Sequence, residues 1–289
     1  MIDLFSKIII FLSRHIGIPF FILVSWIIAT GFFLFFPFRL SISVKFYRVL
    51  FPKKSAWFHM LCAWKQYHNF TSVFLDRFLL DEYGDISYTF EGWKYLEEAI
   101  KKKSGGIILM SHMGNWEMAA HFLKRKDIRL LLYMGIKERE QLEASQKENL
   151  RQRGVKIIGV DHNGGSPFDI VESMNFIKKG GYVALAGDRI WNTKQRKVKA
   201  RFLGHEVHLP EGPHLFALLS GAPIFIFFSF RKKRKKYHFI ISKPIFIKCS
   251  SRAQRKAKIH ACVQIYVSEL ENRLYENPFE WYHFEKFLK

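Results

Sequence analysis

The first strong pattern along the chain is an apolar run. Between Arg14 and Arg39 there is no Asp, Glu, Lys or Arg, and Ile16 to Phe38 reads IGIPFFILVSWIIATGFFLFFPF. As a helix rising ~1.5 Å per residue, these roughly 23 residues would span ~34 Å, enough for the hydrocarbon core of a bilayer. Pro19 lies near the start, where proline is tolerated. Lys7 and Arg14 precede the run, whereas Arg39, Lys45, Arg48, Lys53 and Lys54 follow it. The positive-inside rule therefore predicts that the following domain faces the cytoplasm. A cleaved signal peptide fits less well, because the run is long and no small-x-small site closes it. Residues 1–55 are read as an uncleaved anchor with its basic flank, spanning or deeply inserted, and residues 56–289 as the domain it carries.

Residues 56–80 place Trp57, Leu61, Trp64, Tyr67, Phe70, Phe74 and Phe78 at helical spacing. The polar face is thin, so a core helix and a membrane-interface helix fit equally. Helix and strand then alternate. Helical patterns at 92–103, Asn115–Lys126, Glu138–Arg153 and Asp169–Lys179 separate short apolar runs at Gly106–Ser111, Ile128–Met134, Val155–Val160 and Tyr182–Ala186. That rhythm predicts an α/β fold, a mainly parallel sheet flanked by helices, behind one N-terminal hydrophobic membrane helix. Two further β-rich runs, Pro223–Phe230 and Tyr237–Ile247, are joined by Arg231-Lys-Lys-Arg-Lys-Lys236, which reads as a basic hairpin tip. Residues 251–275 read as a long helix, and a Trp/Phe-rich tail follows.

Charge narrows the partners. The net charge is +21, and 30 of the 289 residues are Phe. Such a field attracts nucleic acid, an anionic membrane or an acidic protein. The basic residues are spread along the chain, and no helix-turn-helix, RNP-like or zinc motif occurs, which weighs against nucleic acid. Cys62, Cys249 and Cys262 are scattered and odd in number. That argues against a disulfide framework or a Cys-based zinc site.

Three segments carry candidate chemistry. Ser111-His112-Met113-Gly114-Asn115-Trp116-Glu117 follows a buried strand and opens a helix. Ligands collect at the carboxyl ends of strands in open α/β sheets. Asn115 is placed to cap the helix. Glu117 is read as the partner of His112, its carboxylate accepting from one imidazole nitrogen while the other takes a proton from a hydroxyl or amine. No G-x-S-x-G serine elbow occurs. The second segment, Gly180–Arg189, is another strand ending in a polar pair. Arg189 is suited to a phosphate or an oxyanion, and Asp188 to holding Arg189 or orienting an acceptor. In the third, Leu209-Pro-Glu-Gly-Pro213, Glu211 and Gly212 enter an apolar helix, with Glu211 suited equally to capping it or to meeting a head group.

The order of H-x4-E, Asp-Arg after a strand, Pro-Glu-Gly and then Gly221-Ala222-Pro223 resembles the lysophospholipid (glycerolipid) acyltransferase superfamily. Within it, the chain is similar to the bacterial lipid A secondary acyltransferases of the lauroyl/myristoyl type. Their first block reads close to Ala-His-Phe-Gly-Asn-Trp-Glu, matched by Ser111 to Glu117. Their aromatic C-terminus is matched by Asn277-Pro-Phe-Glu-Trp-Tyr-His-Phe284. The resemblance implies a bacterial inner-membrane enzyme with His112 as general base supported by Glu117. It implies a site lined by Asn115, Asp188, Arg189, Glu211 and Gly212, with no metal or cofactor. The implied donor is acyl carrier protein or acyl-CoA, and the implied acceptor is a lipid A precursor hydroxyl at an anionic membrane. The usual Asp-Gln is Asp188-Arg189 here. That pair and Asp161-His-Asn-Gly164 are more like a divergent branch, some of it linked to aryl-polyene or other lipids, so a lysophospholipid or amino-lipid acceptor is the alternative. A lipid-binding scaffold without activity and a tethered nucleic-acid-binding protein are the non-enzyme alternatives.

Overall fold

A computed structural model of the protein describes residues 17–83, 86–135, 155–160, 166–190 and 195–288. The expected helix Glu138–Arg153, the flanking Lys7 and Arg14 and the segment Asp161–Gly164 lie outside the described residues.

The predicted α/β class holds. Seven strands form one sheet in the order β1-β9-β8-β2-β5-β3-β4. They are β1 (Ser87–Glu91), β2 (Gly106–Met110), β3 (Leu130–Gly135), β4 (Lys156–Val160), β5 (Tyr182–Ala186), β8 (Ile224–Lys233) and β9 (Lys236–Ile241). Strands β8, β2, β5, β3 and β4 run parallel, whereas β9 turns back antiparallel on β8 and β1 joins parallel to β9. The hairpin of β6 (Lys197–Phe202) and β7 (His205–Pro210) stands apart from this sheet. The run Tyr237–Ile247 does not continue as one strand. It ends at Ile241, before Pro244, and Ile245 makes an isolated bridge to Ile224.

Strand β2 is buried throughout, because both faces of the sheet are covered. Its pleat sends Ile107 and Leu109 into one core and Ile108 and Met110 into the other. Helices α4 (Trp93–Lys101) and α5 (Trp116–Arg125) close the second face, through Leu96, Met118, Phe122 and Leu123. The first face receives α7 (Gly212–Ser220), the 22-residue α8 (Arg255–Glu276), the β6–β7 hairpin and the C-terminal tail. Helix α6 (Pro167–Lys178) precedes β5 and begins with a Ser166–Asp169 capping box.

Among the described residues, three helices precede the sheet: α1 (Ile18–Phe35), α2 (Pro37–Leu50) and α3 (Ala56–Tyr83). Helix α1 is shorter than the apolar run, since Pro37 closes it and opens α2. Its 18 residues would reach ~27 Å, and it is apolar enough to be a membrane span. One side packs on α3, where Trp26 meets Trp64 edge-on at 5.4 Å and Phe33 meets it at 5.0 Å. Leu23, Ile27, Leu34 and Phe35 point outward. Helix α3 is a core helix on one side, through Cys62, Ala63 and Tyr67, while Trp57 is 70% exposed. Tyr47 and Leu50 carry α2 into the same core as the sheet.

Gly114 is where the loop after β2 touches β8. It has φ +75°, and an added Cβ would collide with the Ser229 carbonyl oxygen. At Gly204, φ is +80° but no atom lies within 4 Å. Gly114→Ala should therefore cost about 2 kcal/mol or more of stability, and Gly204→Ala only about 1 kcal/mol, in denaturant melts of detergent-solubilised protein.

Candidate active site

The site follows from strand register. Strands β2 and β5 pair in parallel with Met110 opposite Ala186. Two residues further along each strand stand His112 and Asp188, so their side chains meet at the carboxyl edge of the sheet. The His112 Nδ1 lies 2.8 Å from Asp188 Oδ1, and the His112 backbone N–H donates to Asp188 Oδ2 at 2.7 Å. The Trp281 indole N–H also donates to Oδ2, at 3.0 Å. Asp188 is fully buried at its side chain, while that of His112 is 22% exposed. Burial alone would raise the Asp188 pKa. The facing imidazole, the hydrogen bonds from His112 and Trp281 and nearby His283 outweigh it and hold the carboxyl well below its usual range. An ionised Asp188 only accepts, so Nδ1 carries the proton.

The carboxylate on Nδ1 is thus Asp188, where the sequence pattern assigned Glu117. Spacing within one segment cannot reveal a partner supplied by a neighbouring strand. Glu117 is buried in the first turn of α5 and holds Arg77 of α3, whose Nε donates to its Oε2 at 2.7 Å while Nη2 pairs with Oε1. Asn115 caps α5 as expected, its Oδ1 accepting from the Glu117 N–H at 3.2 Å. Its amide also donates to the Tyr237 hydroxyl at 3.1 Å, and that hydroxyl donates to Asp76. Arg231 is drawn inward to Asp76 at 2.7 Å, and of the five basic residues left in the run Lys232, Lys233 and Arg234 are exposed while Lys235 and Lys236 are half-buried. Arg189 lies 4.0 Å from Glu285 in the tail. Glu211 stands at the N-cap position of α7 but makes no capping hydrogen bond with its side chain, and the exposed Gly212 begins the helix.

The C-terminal tail roofs this edge. Met113 bridges antiparallel to Trp281, Tyr282 N–H donates to the His112 carbonyl at 2.9 Å, and Gly114 N–H donates to the Glu280 carbonyl at 2.7 Å. Sequence reasoning passed over Asp76, Arg77, Tyr237 and Trp281. The signal for the first two was present: an adjacent Asp-Arg pair inside a helix otherwise rich in aromatic residues.

The site is thus a carboxylate-held histidine at the carboxyl edge of a mainly parallel α/β sheet. The sequence profile of the bacterial lipid A biosynthesis acyltransferases matches residues 47–289. The chain belongs to that family, and is an acyltransferase acting on lipid. Among curated protein sequences none matches the chain.

His283 stands edge-on to the pair, its ring 6.5 Å from that of His112. Burial pushes its pKa down to about 4, against an upward pull from Asp188. It stays neutral in the fold but takes a proton near 6.5 once unfolded. Stability from this residue is therefore present above about pH 6.5 and is lost as pH falls towards 4. Glu280, held up to about 7 chiefly by burial, works the opposite way and favours the fold at the acid end. Comparison with a His283→Phe variant isolates the histidine. The stability of wild type relative to that variant should rise by roughly 2–3 kcal/mol between pH 4.5 and 7, read by urea unfolding at each pH.

Proposed function

We propose that the protein moves a fatty acyl chain from acyl carrier protein to a hydroxyl of a lipid A precursor or related glycolipid, at the cytoplasmic face of the bacterial inner membrane. The observation that supports this most is the His112–Asp188 pair at the end of β2, in a chain of this family. His112 is the general base. Its Nε2 takes the acceptor proton as the hydroxyl oxygen attacks the thioester carbonyl carbon. The carbonyl π electrons move to oxygen, and Arg189 or backbone N–H groups stabilise the tetrahedral oxyanion. Its collapse breaks the C–S bond, and the departing thiolate recovers the proton from the imidazolium. Asp188 supports that transient charge. Asn115 and Glu117, tied to Tyr237 and Arg77, hold the first turn of α5 in place, and Glu211 and Gly212 belong to the acceptor side. No metal or redox cofactor takes part in these steps.

The charge of +21 suits both substrates, an acidic carrier and an anionic lipid. Each Lys or Arg at an anionic surface contributes about 1 kcal/mol, and Lys232, Lys233 and Arg234 are exposed to do so. Helix α1 anchors the enzyme in the bilayer from which the acceptor arrives.

The test is acyl transfer by the full chain in detergent, with labelled carrier-protein and coenzyme A thioesters offered to a lipid A precursor, lysophospholipids and an amino-lipid. Transfer to the lipid A precursor from the carrier protein, reduced ~100-fold or more in a folded His112→Ala variant, is the expected result. Near-normal activity of that variant would remove His112 from the chemistry. Transfer to another acceptor only would reassign the substrate.

A further inference from the structure

The C-terminal tail does more than cover the site. Asp188 accepts from three donor groups on two residues: the His112 ring on Oδ1, and the His112 backbone and the Trp281 indole on Oδ2. Charge-assisted bonds of this kind carry geometry as well as energy. The two from His112 move with the residue to be held. Among the described residues, only the indole N–H is a hydrogen bond that ties the carboxylate to a different part of the chain.

That part is itself fastened from several sides. The Trp281 carbonyl accepts from Gln66 Nε2 of α3 at 2.6 Å, and the Pro278 carbonyl accepts from the Tyr47 hydroxyl of α2 at 2.9 Å. The indole is 2% exposed and packs on Phe46, Phe202 and Phe287. Packing of that kind would be served by any large aromatic ring. Of the large aromatic side chains able to fill this space, only tryptophan carries a ring N–H, since phenylalanine has no donor and the tyrosine hydroxyl sits elsewhere on its ring.

We infer that Trp281 is a positioning residue for the transfer reaction: its indole N–H fixes the plane of Asp188, and Asp188 in turn fixes the His112 ring. This rests on the reading of His112 as general base. Through Gln66 and Tyr47 the same chain of contacts runs back to the helices that pack beside α1.

The test replaces Trp281 in the full-length enzyme with benzothienylalanine, which keeps the bicyclic shape and loses the N–H; Trp281→Phe is the second variant. The benzothienyl protein should melt close to wild type, bind donor and acceptor with KM within about twofold, and lose about tenfold or more in kcat. The loss should not add to that of Asp188→Asn, because both changes break one connection. Unchanged kcat, or a loss that multiplies in full onto Asp188→Asn, would overturn the inference. A spectrum independent of turnover separates it from the functional reading. If wild type transfers nothing, that reading fails, and the 15N-coupled Nδ1 proton of His112 still decides the positioning. Its resonance should move in the benzothienyl protein, and an unmoved resonance would sink the inference.

Discussion

The parallel pairing of β2 with β5 is the constraint on which the site depends. It is a backbone register, Gly106 opposite Tyr182 through to Met110 opposite Ala186, and it carries both strands to the same edge in step. The polar residues that follow, His112 and Asp188, have no freedom to miss each other. A slip of one residue would turn either side chain to the opposite face. The apolar strand sequences hold that register because each face must fill a different core, and the Gly114 contact with β8 fixes the direction in which the chain leaves.

Around the pair lies a second ring of polar contacts, and most of it comes from outside the parallel sheet. Helix α3 gives Asp76 to Tyr237 and Arg231, Arg77 to Glu117, and Gln66 to the tail. These are buried or half-buried groups whose charges are matched within the ring, as burial demands. The helix that delivers them also packs against α1. The apolar N-terminal helix and the surroundings of the His112–Asp188 pair are therefore joined by one continuous set of packed side chains.

Much of this was legible in the sequence. Where the chain is described between Gly106 and Ala186, strands and helices fall in the order the periodicity predicts, and the capping role of Asn115 follows from its place between β2 and α5. The strand-end positions of His112 and Asp188 were equally plain. What the sequence could not show was which strands are neighbours. Strands β2 and β5 are about 75 residues apart in the chain yet adjacent in the sheet, as parallel connections require. Sequence spacing therefore points to Glu117, the nearest carboxylate along the chain, while the imidazole meets Asp188 in space. The same limit hid Trp281, whose tail reads as an aromatic run until its indole is seen on Asp188. Arg231 was misread for a related reason, since a run of six basic residues gives no sign that one of them turns inward.

The most direct measurement is a proton–nitrogen spectrum of the histidine rings in full-length protein. A strongly hydrogen-bonded Nδ1 proton assigned to His112 is predicted for wild type. It should be lost in Asp188→Asn and retained in Glu117→Gln. Loss in Glu117→Gln with retention in Asp188→Asn would contradict the account and return the imidazole to the carboxylate nearest in sequence.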